Sequence, residues 1–244
     1  MDVHLHELTP VLSEADAQAA QQQLQQRQQR QLAMSDTRRA LVLDAARSVF
    51  AEKGVGGASI REIARRASYT PGAIYSYFDS KEAIYAALLA ESLERLNQEV
   101  AAARPPKVQP HLTLSAKAQA WFGFYARNPR DLDLGFYLVQ GLAPRGLTSE
   151  LNQPLNARLH DALRPCEQAM QAMGLSPEAA LRENTALFAH GVGLLLLQHT
   201  GRIRMFGQSA ELLFQAYVDQ LVDRLSPGER APVPAPDQPD LFGR

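Results

Sequence analysis

The sequence lacks features that would each point to a particular class of protein. Cys166 is its one cysteine in 244 residues, so a single chain cannot form a disulfide, a thiolate zinc site or an iron-sulfur cluster. The longest apolar run, "GVGLLLL" at 191–197, is too short to cross a bilayer. The amino terminus lacks a basic segment followed by an apolar core. We therefore expect no signal peptide, no membrane span, a cytoplasmic location, and a buried, inert Cys166.

The chain also has almost no net charge and no enzyme motif. Its 25 Lys and Arg residues against 26 Asp and Glu residues give a formal charge of -1, which argues against a uniformly basic coat for nucleic acid. The sequence contains no phosphate loop, no metal-ligand cluster and no strand-borne nucleophile. We therefore expect no cofactor and no metal, and an enzyme is the least favoured class.

Two segments of biased composition flank the centre of the chain. Residues 14–34 are rich in glutamine, alanine and arginine, which favour helix but leave little to bury. They predict a glutamine-rich arm over 1–34, in which Arg27 and Arg30 are either merely solvated or contact DNA phosphates. Residues 226–244 contain so much proline that no helix can persist, which predicts a disordered tail.

The helix start and stop signals between these ends predict a series of helices. No convincing alternating pattern of a strand is present. Helix one is predicted over 37–53, followed by Gly54 as a stop. "SIRE" at 59–62 is a capping box that opens helix two, and Thr70 with Pro71 opens helix three, which runs to about Phe78. "DSKE" at 79–82 is a second capping box, before a long fourth helix that stops ahead of Pro105. Five further helices are predicted over 112–127, 129–141, 149–173, 177–200 and 208–225.

Helices two and three, with the break "SYT" between them, form a helix-turn-helix, which can place its second helix in the major groove of DNA. Tight helical corners also occur in many proteins that do not bind DNA, so the local charge is informative. Between 38 and 81, eight basic residues stand against four acidic ones, as attraction to phosphates requires. The basic residues are Arg38, Arg39, Arg47, Lys53, Arg61, Arg65, Arg66 and Lys81.

Residues 38–89 resemble the DNA-binding domain of the TetR/AcrR transcriptional regulators. The most specific part is the G..Y.YF..K ending, formed here by Gly72, Tyr75, Tyr77, Phe78 and Lys81. The resemblance implies an all-α fold: a helix-turn-helix domain over 35–82, joined by a long helix to a helical effector-binding and dimerisation domain over 83–225. The turn "ASYT" departs from the family, which usually has a glycine and a small aliphatic residue there. A left-handed Ser68 would cost about 1 kcal/mol relative to glycine.

Residue chemistry suggests how such a segment would hold DNA. Gly72 lets the start of helix three approach the backbone closely, and Tyr75, Tyr77 and Lys81 can donate to phosphate oxygens. One of the tyrosines is alternatively expected to pack into the small core. Short side chains at 70, 73 and 76 are left for base reading. The predicted DNA-binding set is Arg38, Ser59, Arg61, Thr70, Pro71, Gly72, Ala73, Tyr75, Ser76, Tyr77 and Lys81.

The resemblance also implies a dimer interface and a small-molecule pocket in the carboxy-terminal helices. Candidates for the interface are small or apolar residues on the last two long helices: Gly191, Leu194, Leu213, Phe214, Tyr217 and Leu221. Pocket candidates are mainly aromatic: Trp121, Phe124, Tyr125, Phe136, Tyr137, Met170 and His190, with His199 nearby in sequence. Ordinary core packing is the alternative for each of these residues.

The sequence therefore predicts a homodimeric, ligand-responsive regulator that binds double-stranded DNA at a palindromic operator, more often as a repressor. The small-molecule effector is unidentified. The alternative is an architectural or scaffold protein of the same fold that binds DNA and recruits a protein partner without an effector.

Overall fold

The computed structural model describes residues 14–136 and 147–226, and these residues form helices without any strand. The all-α prediction is confirmed. In chain order the α-helices are α1 (Glu14–Gly57), α2 (Ile60–Ala67), α3 (Pro71–Tyr75), α4 (Lys81–Ala102), α5 (Pro110–Arg127), α6 (Pro129–Phe136), α7 (Ser149–Ala172), α8 (Pro177–His199) and α9 (Ala210–Leu225). A 3-10 helix, Arg202–Phe206, connects α8 to α9. Tyr137, residues 1–13 of the predicted arm and residues 227–244 of the predicted tail lie outside the described residues.

The first helix is much longer than its prediction. A separate start near residue 37 is wrong, because α1 runs without interruption from Glu14 into the DNA-binding region. Residues 14–53 contain neither proline nor glycine, and their Gln, Ala and Arg residues are good helix formers. The predicted stop is confirmed at Gly54, whose φ of 65° and ψ of 174° break the helical geometry.

A small core formed by α1, α2, α3 and the start of α4 holds the helix-turn-helix in place. Val49, Ile63 and Ile74 are fully buried, one from each of the first three helices, and Phe78 is buried after α3. Phe50 of α1 packs edge-on against Tyr85 of α4, with ring centroids 5.4 Å apart. Aromatic and aliphatic packing therefore fixes the short helices α2 and α3 against two long ones.

The carboxy-terminal domain packs around an aromatic cluster on α5. Trp121 contacts Tyr125, Phe188 of α8 and Phe214 of α9, with centroid separations of 5.7, 5.5 and 6.3 Å. Phe122 stacks on Phe214 at 4.2 Å. The helix α5 is thus central, and α4, α7, α8 and α9 surround it.

The 3-10 helix between α8 and α9 is absent from the prediction. Gly201 and Gly207 lie at its two ends, both with positive φ, at 71° and 60°. These backbone conformations favour glycine and allow the chain to reverse tightly at each end. Inside the 3-10 helix Ile203 is buried against the core, whereas Met205 and Phe206 are exposed.

Candidate nucleic-acid interface

The turn between α2 and α3 is built around Ser68. This serine has φ 59° and ψ 37° and is the one non-glycine residue with positive φ in the described part of the chain. The Tyr69 N–H donates to the Ala64 carbonyl at 2.8 Å, and the Ser68 N–H to the Arg65 carbonyl at 3.3 Å. This is a Schellman ending, in which a left-handed residue satisfies the last carbonyls of a helix. These hydrogen bonds therefore offset part of the backbone strain that serine has, relative to glycine, in the left-handed conformation.

The start of α3 is well capped. Thr70 is the N-cap, and its side-chain oxygen accepts a hydrogen bond from the Ala73 N–H at 3.2 Å, while Pro71 occupies the first turn. The helix ends at Tyr75 and not at Phe78 as predicted, because residues 76 and 77 form a turn that directs Phe78 into the core. Only the first turn and a half of the predicted recognition helix is α-helical.

Both predicted capping boxes need correction. Ser59 caps α2 by accepting from the Glu62 N–H at 3.3 Å, but the Glu62 carboxylate accepts from Lys53 at 2.5 Å. The cap of α4 is Ser80, one residue later than "DSKE" implied, and it accepts from the Ala83 N–H at 3.0 Å. Aspartate and serine are both preferred N-cap residues, so the sequence pattern could not distinguish a cap at Asp79 from one at Ser80.

Gly72 and Tyr75 form the most open part of α3. A Cβ added to Gly72 would meet nothing within 4 Å, so the packing of the protein itself does not require glycine there. The Tyr75 side chain is exposed, at 54%. Tyr77 is half-buried and packs against the core, so it is the tyrosine that the alternative assigned to packing. Of the two rings, Tyr75 is the better placed to meet a partner.

The short hydroxyl side chains are already partly engaged with the backbone. Thr70 accepts from the Ala73 N–H, which leaves its own hydroxyl proton free to donate. Ser76 donates to the Ala73 carbonyl at 2.7 Å and so keeps only acceptor capacity. Ser59 accepts as a cap, which again leaves its proton available. These commitments set which partner atoms each side chain can recognise.

Four of the eight basic residues near the helix-turn-helix are paired within the protein: Arg47, Lys53, Arg66 and Lys81. Arg66 forms a two-pronged ion pair with Glu52 at 2.5 and 3.0 Å, which holds the pKa of that carboxyl below its ordinary value. Arg47 lies 3.4 Å from both Asp44 and Glu91.

Lys81 is engaged by main-chain oxygens. Its Nζ donates to the carbonyls of Gly56 and Ala58 at 3.4 and 3.2 Å. This contact ties α4 to the end of α1, a structural role that the predicted phosphate contact did not include.

Arg38, Arg61 and Arg65 are exposed cations close to the helix-turn-helix that lack a carboxylate partner among the described residues, as do Arg27 and Arg30 farther back on α1. The sequence identified these arginines as basic residues of the region. It did not show that Arg66 and Lys53 are paired with carboxylates, whereas these arginines are not. Together with the open start of α3, they give a surface with donors and unpaired positive charge. Such a surface suits a phosphate backbone.

Comparison with known proteins agrees with this geometry. Residues 42–88 match the family model described as bacterial regulatory proteins, tetR family. The chain is 31% identical over 144 residues, 58% of its length, to the HTH-type transcriptional repressor NicS of Pseudomonas putida, and 39% identical over 57 residues, 23% of its length, to the HTH-type transcriptional regulator UidR of Escherichia coli. The matches span 66% of NicS and 29% of UidR, less than two thirds of each. The fold is similar to that of FadR from Bacillus subtilis in complex with stearoyl-CoA, with a TM-score of 0.54 at 21% identity over 75% of this chain and 97% of FadR.

The chain belongs to the TetR family. This family consists of DNA-binding transcriptional regulators that are not enzymes. In the described part of this TetR-family chain, no helix is both long and apolar enough to cross a membrane. The same residues contain no group of three or more His, Cys, Asp or Glu side chains able to hold a metal ion.

The predicted effector residues lie mostly in the solid core of this TetR-family chain. Trp121, Phe124, Tyr125 and Met170 are each at most 2% exposed. Aromatic rings pack closely around α5, and burial raises the pKa of the Tyr125 hydroxyl. A cavity of about 1140 Å³ lies between α1, α4, α6 and α7, and its described lining includes none of the described residues that were predicted for the pocket.

Three further side chains singled out by the sequence remain at the edges of this core. Phe136 is half-buried and packs on Tyr125 and Phe188. His190 stacks on Tyr217 with ring centroids 4.1 Å apart, and desolvation lowers its pKa. His199 lies 3.2 Å from Asp133, as a structural histidine would.

The predicted dimer surface also changes. Gly191, Leu194, Phe214 and Leu221 are buried within the chain and contribute little to the surface that α8 and α9 present. Gly191 is small because of a contact inside the same chain: a Cβ there would come within 2.5 Å of the Trp121 ring. Leu213 and Tyr217 are half-buried. The large apolar side chains left exposed on α8 and α9 are Leu181, Leu196 and Leu212.

Proposed function

We propose that this TetR-family chain is a homodimeric transcriptional repressor that binds a palindromic operator and releases it when a small molecule binds. The observation that carries the proposal is the open start of α3, where Gly72 has free space beside the exposed Tyr75. A surface that holds a glycine without an internal need for one suits close approach by a DNA backbone.

Electrostatics support the same site. Arg38, Arg61 and Arg65 have no carboxylate partner among the described residues, so phosphates can engage them without breaking an ion pair. Neighbouring Arg66 and Lys53 would first have to leave Glu52 and Glu62. The three unpaired arginines are therefore the cations that we assign to DNA.

A dimer supplies what one short helix cannot. The α-helix α3 has five residues, and its outward side chains at 70, 73 and 76 are short, which limits the base contacts of one subunit. Two subunits that bind half-sites about one helical turn apart add their contacts. The exposed leucines of α8 and α9 support association through these helices.

Similar proteins support the repressor and effector assignments. NicS is named a transcriptional repressor, and the FadR structure contains stearoyl-CoA. We infer that this chain likewise couples a small molecule to DNA affinity. Such coupling is a population shift in which the effector favours a dimer whose two α3 helices no longer match the half-sites.

Fluorescence anisotropy with labelled DNA from the region upstream of the gene, at several salt concentrations, tests the DNA-binding part. Arg61→Gln and Arg65→Gln should each reduce the slope of log affinity against log salt by about 1. Arg104→Gln, at an exposed arginine between α4 and α5, is the matched control and should leave the slope unchanged. An absence of specific complex for the unaltered chain at every salt concentration would refute the proposal.

A compound found by thermal shift tests the release. It should raise the dissociation constant for the operator but not for unrelated DNA. Many dispersed sites with no response to any stabilising compound would favour the architectural alternative.

A further inference from the structure

The cavity of about 1140 Å³ lies where the DNA-binding helices meet the carboxy-terminal domain. α1 and α4 form two of its sides, and the corner between α5 and α6 and one residue of α7 complete it. A cavity of this size holds a small organic molecule. Its position differs from the interior of the helical domain, where the sequence predicted a pocket.

The cavity is rich in arginine. Among the described residues, six arginines line it, against four carboxylates from Glu91, Glu94, Asp131 and Asp133. The arginines are Arg39, Arg47, Arg95, Arg127, Arg130 and Arg158.

Three of the six arginines are already paired with carboxylates. Arg47 lies 3.4 Å from Glu91, Arg95 lies 2.5 Å from Asp131, and Arg127 forms an ion pair with Glu99.

Arg39, Arg130 and Arg158 have no carboxylate partner among the described residues. Arg158 makes one long hydrogen bond, 3.5 Å, to the Ala90 carbonyl. The Arg39 guanidinium lies 4.9 Å from the centre of the Phe78 ring. These three come from α1, α6 and α7, so one anion between them would join three elements. Guanidinium groups present paired donors that match carboxylate, sulfonate or phosphate oxygens.

The rest of the described lining is mostly apolar, apart from Asn128 and the Tyr85 hydroxyl, and connects α1 to α6. Phe50 and Tyr85 pack edge-on, and the Tyr85 hydroxyl donates to the Leu134 carbonyl at 2.5 Å. Leu134 and three alanines add further apolar surface. A ligand that fits this lining therefore combines an anionic group with a compact apolar body.

We propose that this cavity binds an organic anion with an apolar body, held by Arg39, Arg130 and Arg158, and that the bound anion changes DNA affinity. Arg39 is the link to DNA, because its guanidinium covers Phe78, which follows α3 in the sequence and anchors it in the core. An anion that draws Arg39 toward α6 and α7 alters this contact and fixes α1 against the carboxy-terminal domain. The effect on DNA rests on the proposed function, whereas binding of the anion does not.

Isothermal titration of the full chain without DNA tests binding, with 2-naphthoate and decanoate as probes and their uncharged amides as matched controls. At least one carboxylate should bind at micromolar to low millimolar concentration, about tenfold more tightly than its amide. Arg130→Gln and Arg158→Gln should each weaken that binding about threefold to tenfold, while Arg104→Gln should not. No binding of either carboxylate at concentrations up to about 5 mM, or equal affinity for acid and amide, would overturn the proposal.

An operator titration with and without the bound carboxylate tests the coupling. DNA affinity should change by about fivefold or more, and Arg39→Gln should remove most of that change. Unchanged DNA affinity at saturating carboxylate would overturn the coupling. If the unaltered chain binds its operator normally but does not bind either carboxylate, the result counts against this site alone. Absence of operator binding in a chain that still binds the carboxylate would count against the proposed function alone.

Discussion

Replacing Gly72 by alanine separates the needs of the fold from the needs of DNA binding. Gly72 lies in the first turn of α3, is exposed, and has open space where a Cβ would be. It is not among the glycines with positive φ, so alanine can take up the same backbone. The substitution should therefore raise the stability of the free protein. Its added methyl group should weaken a close contact with the DNA backbone.

The two effects have opposite signs and measurable sizes. Alanine is favoured over glycine within a helix by about 0.5–1 kcal/mol, and the lower value applies because α3 is short and Gly72 lies near its end. For a chain of this size that gain corresponds to a rise in Tm of about 1–2 °C. A methyl group forced into a closely packed contact costs about 1–3 kcal/mol, which weakens DNA binding about 5- to 150-fold.

Thermal unfolding and operator titration of the same preparation measure both effects. Gly193→Ala is the matched control, because Gly193 is an exposed helical glycine on α8 that also has nothing within 4 Å of an added Cβ. It should raise Tm similarly and leave DNA affinity unchanged, provided that size-exclusion elution shows an unaltered assembly. A Gly72→Ala chain that is less stable, or that binds the operator as tightly as before, would refute the reasoning.

Three other substitutions test further parts of the account. Tyr75→Phe should weaken binding about fivefold, equally for operator and unrelated DNA in anisotropy titrations, because a phosphate contact of about 1 kcal/mol is lost; an altered base preference would contradict this. Ser68→Gly should raise the free energy of unfolding in urea by about 0.5–1 kcal/mol, since glycine relieves the left-handed strain; an unchanged or lower value would count against it. Burial raises the pKa of Cys166 to about 12, so the folded chain should resist DTNB at pH 8. Above about pH 9 the unfolded thiol loses a proton that the folded one keeps, so stability should fall with rising pH, and less so in Cys166→Ala; an equal slope in both chains would contradict the assignment.

The helix start and stop signals predicted most of the fold because each depends only on residues that are close together in the sequence. Ser59 and Thr70 mark helix starts through bonds to residues no more than four positions away, and Pro71 marks one through its fixed φ. The same applies to Gly54, where the backbone itself breaks the helix. The start of α1 was missed because the solvated segment and the packed segment are both helical. No local residue signal marks the point at which one becomes the other.

The partners of charged and buried residues were not predictable in this way. Arg66 and Glu52 are 14 positions apart, and Lys81 and Gly56 are 25 positions apart. Their contacts follow from how α1, α2 and α4 pack, which no local pattern contains. Gly191 illustrates the same limit, because its small size serves the ring of Trp121, seventy positions earlier, and not a second subunit.

The central claim is that two copies of the open α3 surface bind a palindrome, and selection of bound fragments from the genome that encodes this chain tests it most directly. The account predicts a recovered inverted repeat with half-sites about one helical turn apart, and its loss from the selection with Gly72→Ala. Fragments without a shared sequence, or an identical selection with Gly72→Ala, would contradict it.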